Sequence, residues 1–230
     1  TRQNYQAIAD RQWQVVKEEY FTATGRCAVK TQTGLVLALK YHLSDNERLT
    51  EQMLRKLLRD NKNKLNTGFV GTPLLCNVLT EHGMTDLAYR LLLNEEYPGW
   101  LHEVKLGATT VWERWNSLDE NGRISSTGMN SLNHYSYGAV LEWIFRHVAG
   151  IDVTEQGPGG KMMRISPKVD HKLGSASAVY DSASGCYRCG WQIENGDQIT
   201  VTITVPFGAK AQVILPYAPD SVYHDTDNPL

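Results

Sequence analysis

The chain has 230 residues, enough for one large domain or two small ones and for a core that needs no staples. Hydrophobic residues make up 41% and charged residues 21%, as in an ordinary globular protein, and a net charge of −2 excludes bulk attraction of nucleic acid. No apolar run reaches the roughly 18 residues of a membrane span, so no membrane partner is expected.

The chain opens on Thr1, and its first twenty residues carry several charges, so they do not read as a signal peptide. The sequence reads as a piece of a longer protein, and this N-terminus gives no localisation. Tyr5, Ile8, Trp13, Val16 and Tyr20 recur every three to five positions and predict a helix over 4–21 with one apolar stripe. A second helix, over 31–43, holds Leu35, Val36, Leu37, Leu39 and Tyr41. It is apolar nearly all round and is expected to be buried. Ser44 and Glu47 have the spacing of a capping box, with Leu49, Met53, Leu54, Leu57 and Leu58 as the inner face of a third helix.

Thr72 is the expected N-cap of a fourth helix with Pro73 at its first position, and Gly83 is its stop. Thr85 is the expected cap of a fifth, with Leu87, Ala88, Leu91 and Leu92 inward. Residues 97–132 read as irregular and rich in Trp, Gly, Ser and Asn. A last helix is predicted over 134–149, with Leu141, Ile144, Phe145 and Val148 buried and Gly150 as the stop. Cys27 and Cys76 fall in helical stretches and read as small buried apolar residues. About six helices joined by short loops make half of a toroid of six hairpins. The nearly all-apolar second helix needs cover on every side, a second sign of a piece.

After Gly150 the apolar residues alternate. Strands are predicted near 161–166, 175–181, 186–194, 198–205 and 209–215, with Asn195-Gly196 in a hairpin turn that needs positive φ. This spacing indicates an antiparallel sandwich. Cys186 and Cys189 have CxxC spacing. They lack a second ligand pair and a following helix, so they read as strand cysteines on opposite faces rather than a zinc or redox site. The tail from Pro216 has little apolar content and is expected to be loose. The fold class is therefore mainly α then β. A portion of a helical toroid spans 1–150 and an antiparallel β-sandwich domain spans 151–230.

The irregular stretch is where chemistry is expected, because a loop that long in a helical domain is usually functional. It holds Trp100, Trp112 and Trp115, flanked by Tyr97, Tyr135 and Tyr137. Flat aromatic faces pack on the C–H faces of sugar rings, and neighbouring carboxylates and amides bind hydroxyls. Trp112-Glu113-Arg114-Trp115 sets a carboxylate between two indoles. Water exclusion there favours the neutral acid and the adjacent Arg114 favours the charged form, the kind of tuning a catalytic carboxylate needs. A structural Glu113–Arg114 ion pair fits the same residues and is weighted ahead of catalysis on composition alone. His134 can donate to a sugar hydroxyl or serve as a capping or core residue, with Asn133 as N-cap, and on sequence alone the second is weighted ahead. No HExxH, P-loop, GxSxG or dinucleotide fingerprint occurs.

Four segments, in order, resemble the α-L-rhamnosidases of glycoside hydrolase family 78. They are Thr67-Gly68-Phe69-Val70-Gly71-Thr72-Pro73, Asp86–Leu93 with Tyr97-Pro98-Gly99-Trp100, Gly107–Trp115 ending in Trp-Glu-Arg-Trp, and Gly128–Tyr135 ending in Asn-His-Tyr. The resemblance implies the C-terminal half of an (α/α)6 toroid followed by a β-sandwich, in a bacterial hydrolase that inverts the anomeric centre. It implies Glu113 as general base and His134 as a contact to rhamnose, with Trp112, Trp115 and Arg114 shaping or supporting the pocket. No metal or organic cofactor is implied, and the expected partner is a rhamnose-containing glycoside or polysaccharide. The family's general acid lies in an earlier motif that nothing here matches. The rival expectations are another glycosidase on the same toroid and a non-catalytic carbohydrate-binding or degenerate homologue.

Overall fold

The computed structural model describes residues 2–125, 128–196 and 198–217. The expected loose tail lies, beyond Tyr217, outside the described residues. Contacts divide the chain into two compact units, Thr1–Val140 and Leu141–Leu230.

The first unit is helical: α1 Arg2–Tyr20, α2 Gln32–Lys40, α3 Glu47–Asp60, α4 Thr72–Glu81, α5 Thr85–Leu92 and α6 Trp100–Lys105. As expected, α2 is buried on most of its surface, through Leu35, Val36, Ala38 and Leu39. It packs on α3 and α4, and α4 packs on α5 and on a 3-10 turn at Ser136–Ala139. Thr50, Leu54 and Leu58 are the most buried positions of α3, one turn apart. Gly71 permits a close approach: a Cβ there would lie 2.5 Å from Thr33 Oγ1, so α4 begins hard against the first turn of α2.

Several local expectations are corrected, among them the irregular reading of 97–132, which holds α6. The helix α1 forms as expected, but its apolar stripe is not buried: Tyr5, Ile8, Trp13 and Tyr20 are exposed and Val16 is half-buried. The helix is tied down by polar contacts instead, with Trp13 Nε1 donating to His42 O at 3.1 Å and Lys17 pairing with Asp45. The cap of α3 is Asn46, whose side chain accepts from Leu49 N at 3.1 Å. Ser44 is turned away to donate to Gly25 O, and Glu47 pairs with the His42 ring. Thr72 is the first residue of α4, not its cap, and its hydroxyl meets that of Thr67 at 2.8 Å. Thr85 is likewise inside α5, with Met84 at the cap position and no side-chain cap. Cys27 is buried, but in a β-bridge to Phe21 rather than a helix.

The last helical run is also not the regular helix expected. A 3-10 turn at Ser136–Ala139 is followed by α7 Val140–Trp143 and a π-turn at Ile144–Val148. Leu141 and Phe145 are 57% and 40% exposed, whereas Val140, Trp143 and His147 are buried. Val148 is buried as expected, but ahead of it the buried face is offset by one residue, because burying Trp143, the largest apolar side chain of the run, removes the most surface from water.

Among the described residues, the second unit carries two three-stranded sheets. The strands are β1 Ile151–Val153, β2 Met162–Ile165, β3 Ser175–Ser182, β4 Gly185–Glu194, β5 Gln198–Thr204 and β6 Lys210–Val213. β3-β4-β5 is an antiparallel meander with Tyr180 opposite Tyr187 and Trp191 opposite Val201. Asn195 and Gly196 have φ of 51° and 90°, as the hairpin requires. The other sheet, β1-β2-β6, adds the unexpected strand β1. Its β2–β6 pair is parallel, which the intervening meander makes possible as a long crossover. Ile151, Met163, Ile165, Tyr187 and Cys189 form the core shared by the two sheets. Cys189 points into it while Cys186 stays partly exposed, on opposite faces as the spacing requires. Gly150 has φ of 86°, and a Cβ there would lie 2.3 Å from Pro167 N, so only glycine fits this stop.

Candidate active site

The expected site residues lie on two irregular segments of the first unit, joined by backbone hydrogen bonds. Glu113 N donates to Ser131 O at 2.9 Å and His134 N donates to Val111 O at 2.7 Å. The Thr110 hydroxyl donates to Leu132 O between them. Glu113 and His134 are thus carried by paired backbones although they are distant in sequence. Beyond Glu113 the chain turns back: Arg114 N donates to Ser117 Oγ at 3.2 Å, and Ser117 is locked to Asn130 by two hydrogen bonds.

Aromatic packing forms the floor. Trp115 stacks on Tyr137 with centroids 4.0 Å apart at 12°, and meets Trp100 edge-on at 5.3 Å. Trp115 Nε1 donates to Thr67 O at 2.9 Å and Trp100 Nε1 to Tyr137 O at 3.0 Å, so both buried indoles satisfy their N–H. The loop bearing Thr67 is set by the buried Gln32 amide, which donates to Lys64 O and accepts from Asn66 N, each at 2.8 Å. Beside this floor lies a cleft of about 430 Å³, lined by Asn61, Lys64, Asn66, Tyr97 and Pro98, and Trp115 is the one expected site residue in its lining. Amides, a cation and aromatic rings together suit a polyhydroxylated ligand.

His134 is half-buried, and its Nδ1 accepts from Ser136 N at 3.3 Å. Tyr135, not Asn133, stands at the cap position of the 3-10 turn, and no side chain caps it there. For His134, accepting at Nδ1 leaves Nε2 as the protonated nitrogen of the neutral ring, a donor. Tyr135 stacks on His134 and is exposed. Trp112 is buried and Glu113 and Arg114 are half-buried.

The residue that sequence reasoning missed is Glu103. Its side chain is 3% exposed, on the face of α6 that also buries Trp100. Burial pushes its carboxyl up to about 7, opposed by the hydrogen bond from Trp112 N. Burial also pushes the Tyr137 phenol up, with Glu103, Tyr97 and Glu113 adding to the effect and Arg114 opposing it. The available signal was the spacing of Trp100 and Glu103, three apart and hence on one helical face.

A family model described as the bacterial alpha-L-rhamnosidase 6 hairpin glycosidase domain matches residues 1–148, most of the chain. The chain belongs to the bacterial α-L-rhamnosidase family. A second model, the bacterial alpha-L-rhamnosidase C-terminal domain, matches residues 150–228. The chain is 41% identical over 189 residues to an alpha-L-rhamnosidase of Alteromonas sp. (strain LOR), covering 81% of this chain and 20% of that protein. It is 36% identical over 208 residues to one from Streptomyces avermitilis, covering 89% and 20%. The chain thus spans about a fifth of the length of the curated relatives it matches.

Among solved structures, the Streptomyces avermitilis alpha-L-rhamnosidase complexed with L-rhamnose superposes with a TM-score of 0.86 at 33% identity, over 93% of this chain and 21% of that one. The Aspergillus terreus alpha-L-rhamnosidase gives 0.90 at 30%, over 96% and 26%. In this member of the rhamnosidase family, then, a helical six-hairpin part precedes the sheet domain. The Trp112–Trp115 segment and the 131–134 segment pair within that helical part.

Proposed function

We propose that the whole protein is an inverting α-L-rhamnosidase and that this chain supplies its general base, Glu113, but not its general acid. The observation that carries the reading is the match of the six-hairpin glycosidase model across residues 1–148. The ladder that holds Glu113 and His134 on adjacent backbones supports it further. In the mechanism, Glu113 removes a proton from a water, and that water attacks C1 of a terminal α-L-rhamnosyl residue on the face opposite the leaving group. A separate carboxylic acid, carried by no motif of this chain, protonates the leaving oxygen. The two groups stand roughly 6.5–9.5 Å apart in such enzymes, so the attacking water has room.

His134 donates from Nε2 to a rhamnose hydroxyl, because its Nδ1 is committed to Ser136 N. Trp112 and Trp115 wall the site and Arg114 supports it. The substrate is a rhamnose-containing glycoside or polysaccharide, and the chemistry uses no metal or organic cofactor. The division near residue 150 into toroid portion and sheet domain is part of the same reading.

The test is Glu113→Gln in the full-length protein, assayed on a nitrophenyl α-L-rhamnoside. Loss of a general base lowers turnover by about 10² to 10⁴, with the thermal midpoint unchanged. A near-normal rate removes Glu113 from the role. The chain 1–230 alone is expected to release no nitrophenol, and turnover by it would show that the acid lies here after all. Hydrolysis by the full-length protein of a different nitrophenyl glycoside in place of the rhamnoside would reassign the substrate.

A further inference from the structure

Glu103 is a buried acid that the proposed reaction does not use. It sits on α6, outside the ladder that carries Glu113, and yet its Oε2 accepts the backbone N–H of Trp112 at 3.5 Å. Trp112 is the residue immediately before Glu113. The other carboxyl oxygen, Oε1, is buried with no hydrogen-bond partner among the described residues. A carboxylate with one bare oxygen in a dry site is costly, whereas a neutral acid there is cheaper by the desolvation of the charge. Among the described residues, the influences on the Glu103 carboxyl are burial and the hydrogen bond from Trp112 N, with no cation among them. The Tyr137 phenol of the 3-10 turn is pushed up by burial and then by Glu103, with Tyr97 and Glu113 adding to the effect and Arg114 opposing it.

We propose that Glu103 is a positioning residue for the catalytic segment: in its neutral form it ties α6 to the Trp112 peptide and thereby fixes the backbone from which Glu113 projects. This rests on the reading of Glu113 as general base. The hydrogen bonds of the ladder hold the Glu113 peptide from the 131–134 side, through Ser131 O. Glu103 holds the preceding peptide from the α6 side. With both in place the Glu113 backbone is restrained from two directions, which is what a base that must meet one water needs.

The sign of the pH effect follows from the direction of the shift. The carboxyl of Glu103 is raised from an ordinary 4.5 to about 7 in the fold. The stability linked to it is therefore complete below the ordinary value and is lost as the pH rises through about 7. Glu103→Gln keeps an oxygen to accept from Trp112 N and cannot ionise. Glu103→Ala removes the tie.

The experiment compares the full-length wild type with these two variants. Glu103→Ala is expected to lower kcat about tenfold, the rate equivalent of one lost hydrogen bond, with KM within about twofold. Glu103→Gln is expected to restore kcat to within about twofold of wild type near pH 6. Its thermal midpoint is expected to fall less than the wild type's between about pH 5 and about pH 8. Glu103→Ala at wild-type kcat, or Glu103→Gln as impaired as Glu103→Ala, would overturn the proposal. Wild type and Glu103→Gln midpoints that fall in parallel would overturn it as well. If the full-length protein hydrolyses no rhamnoside, the functional reading fails, and the midpoint comparison alone then decides whether Glu103 is the neutral tie described.

Discussion

Trp115 shares its faces among three neighbours: Tyr137 against one face, the edge of Trp100, and the carbonyl of Thr67 at its N–H. A side chain so placed is both part of the candidate cleft and a strut of the core. Trp115→Phe keeps an aromatic face on Tyr137 but strands the Thr67 carbonyl, and is expected to cost about 1 kcal/mol. Trp115→Ala opens a cavity and is expected to cost about 3–5 kcal/mol. Urea unfolding of the two variants checks both values, and equal losses would mean that the hydrogen bond, not the stack, carries the effect. The residue scale also shows what sequence reading can reach. Trp112, Glu113 and Trp115 announce themselves as a cluster of chemically distinctive neighbours. Glu103 does not, since a glutamate in a short amphipathic segment reads as a solvated surface group until its face is known.

At the scale of elements, most helices and strands were legible and their ends were not, while the short α6 and β1 were missed altogether. Periodicity fixes which residues share a face, and that signal was strong for α2, α3 and the β3–β5 meander. Capping depends on the backbone direction with which the chain enters a helix, and Ser44 and Asn46 are both good cap types two residues apart. The Ser44 hydroxyl found Gly25 O, which left the cap to Asn46. Asn46→Ala is therefore expected to destabilise by about 1 kcal/mol. Thr85→Ala, which removes no cap, is expected to fall within about 0.5 kcal/mol of wild type. Denaturant midpoints measured side by side would reverse this order if the sequence-based caps operate in solution. The run from Ser136 to Val148 was misjudged for a related reason: its pattern allowed two faces one residue apart, and the bulk of Trp143 selected between them.

At the scale of the molecule, the apolar residues left in water set the behaviour of the isolated chain. Tyr5, Ile8, Phe69, Met129 and Tyr135 are all more than half exposed. Exposed aromatic and aliphatic groups in such number promote association. Sedimentation velocity on residues 1–230 is expected to show mass rising with concentration, and a monomer at all concentrations would mean that these side chains do not form an adhesive face. The two units reach their own cores by different routes. The helical unit buries Leu and Trp between helices, whereas the sheet unit alternates Ile, Met, Tyr and Cys across its strands.

The sequence by itself determined the change from helical to alternating periodicity, the hairpin at Asn195-Gly196, and the family segments that bracket Glu113 and His134. These are local patterns, written in neighbours a few residues apart. Tertiary structure alone decided that residues 110–113 run beside 131–134, that β2 and β6 pair in parallel, and that the stripe of α1 faces water. It also put Glu103 in a dry site against the Trp112 peptide. Each of those depends on which surfaces meet across long stretches of chain. Burial and the need to satisfy every polar group are settled only once they have met.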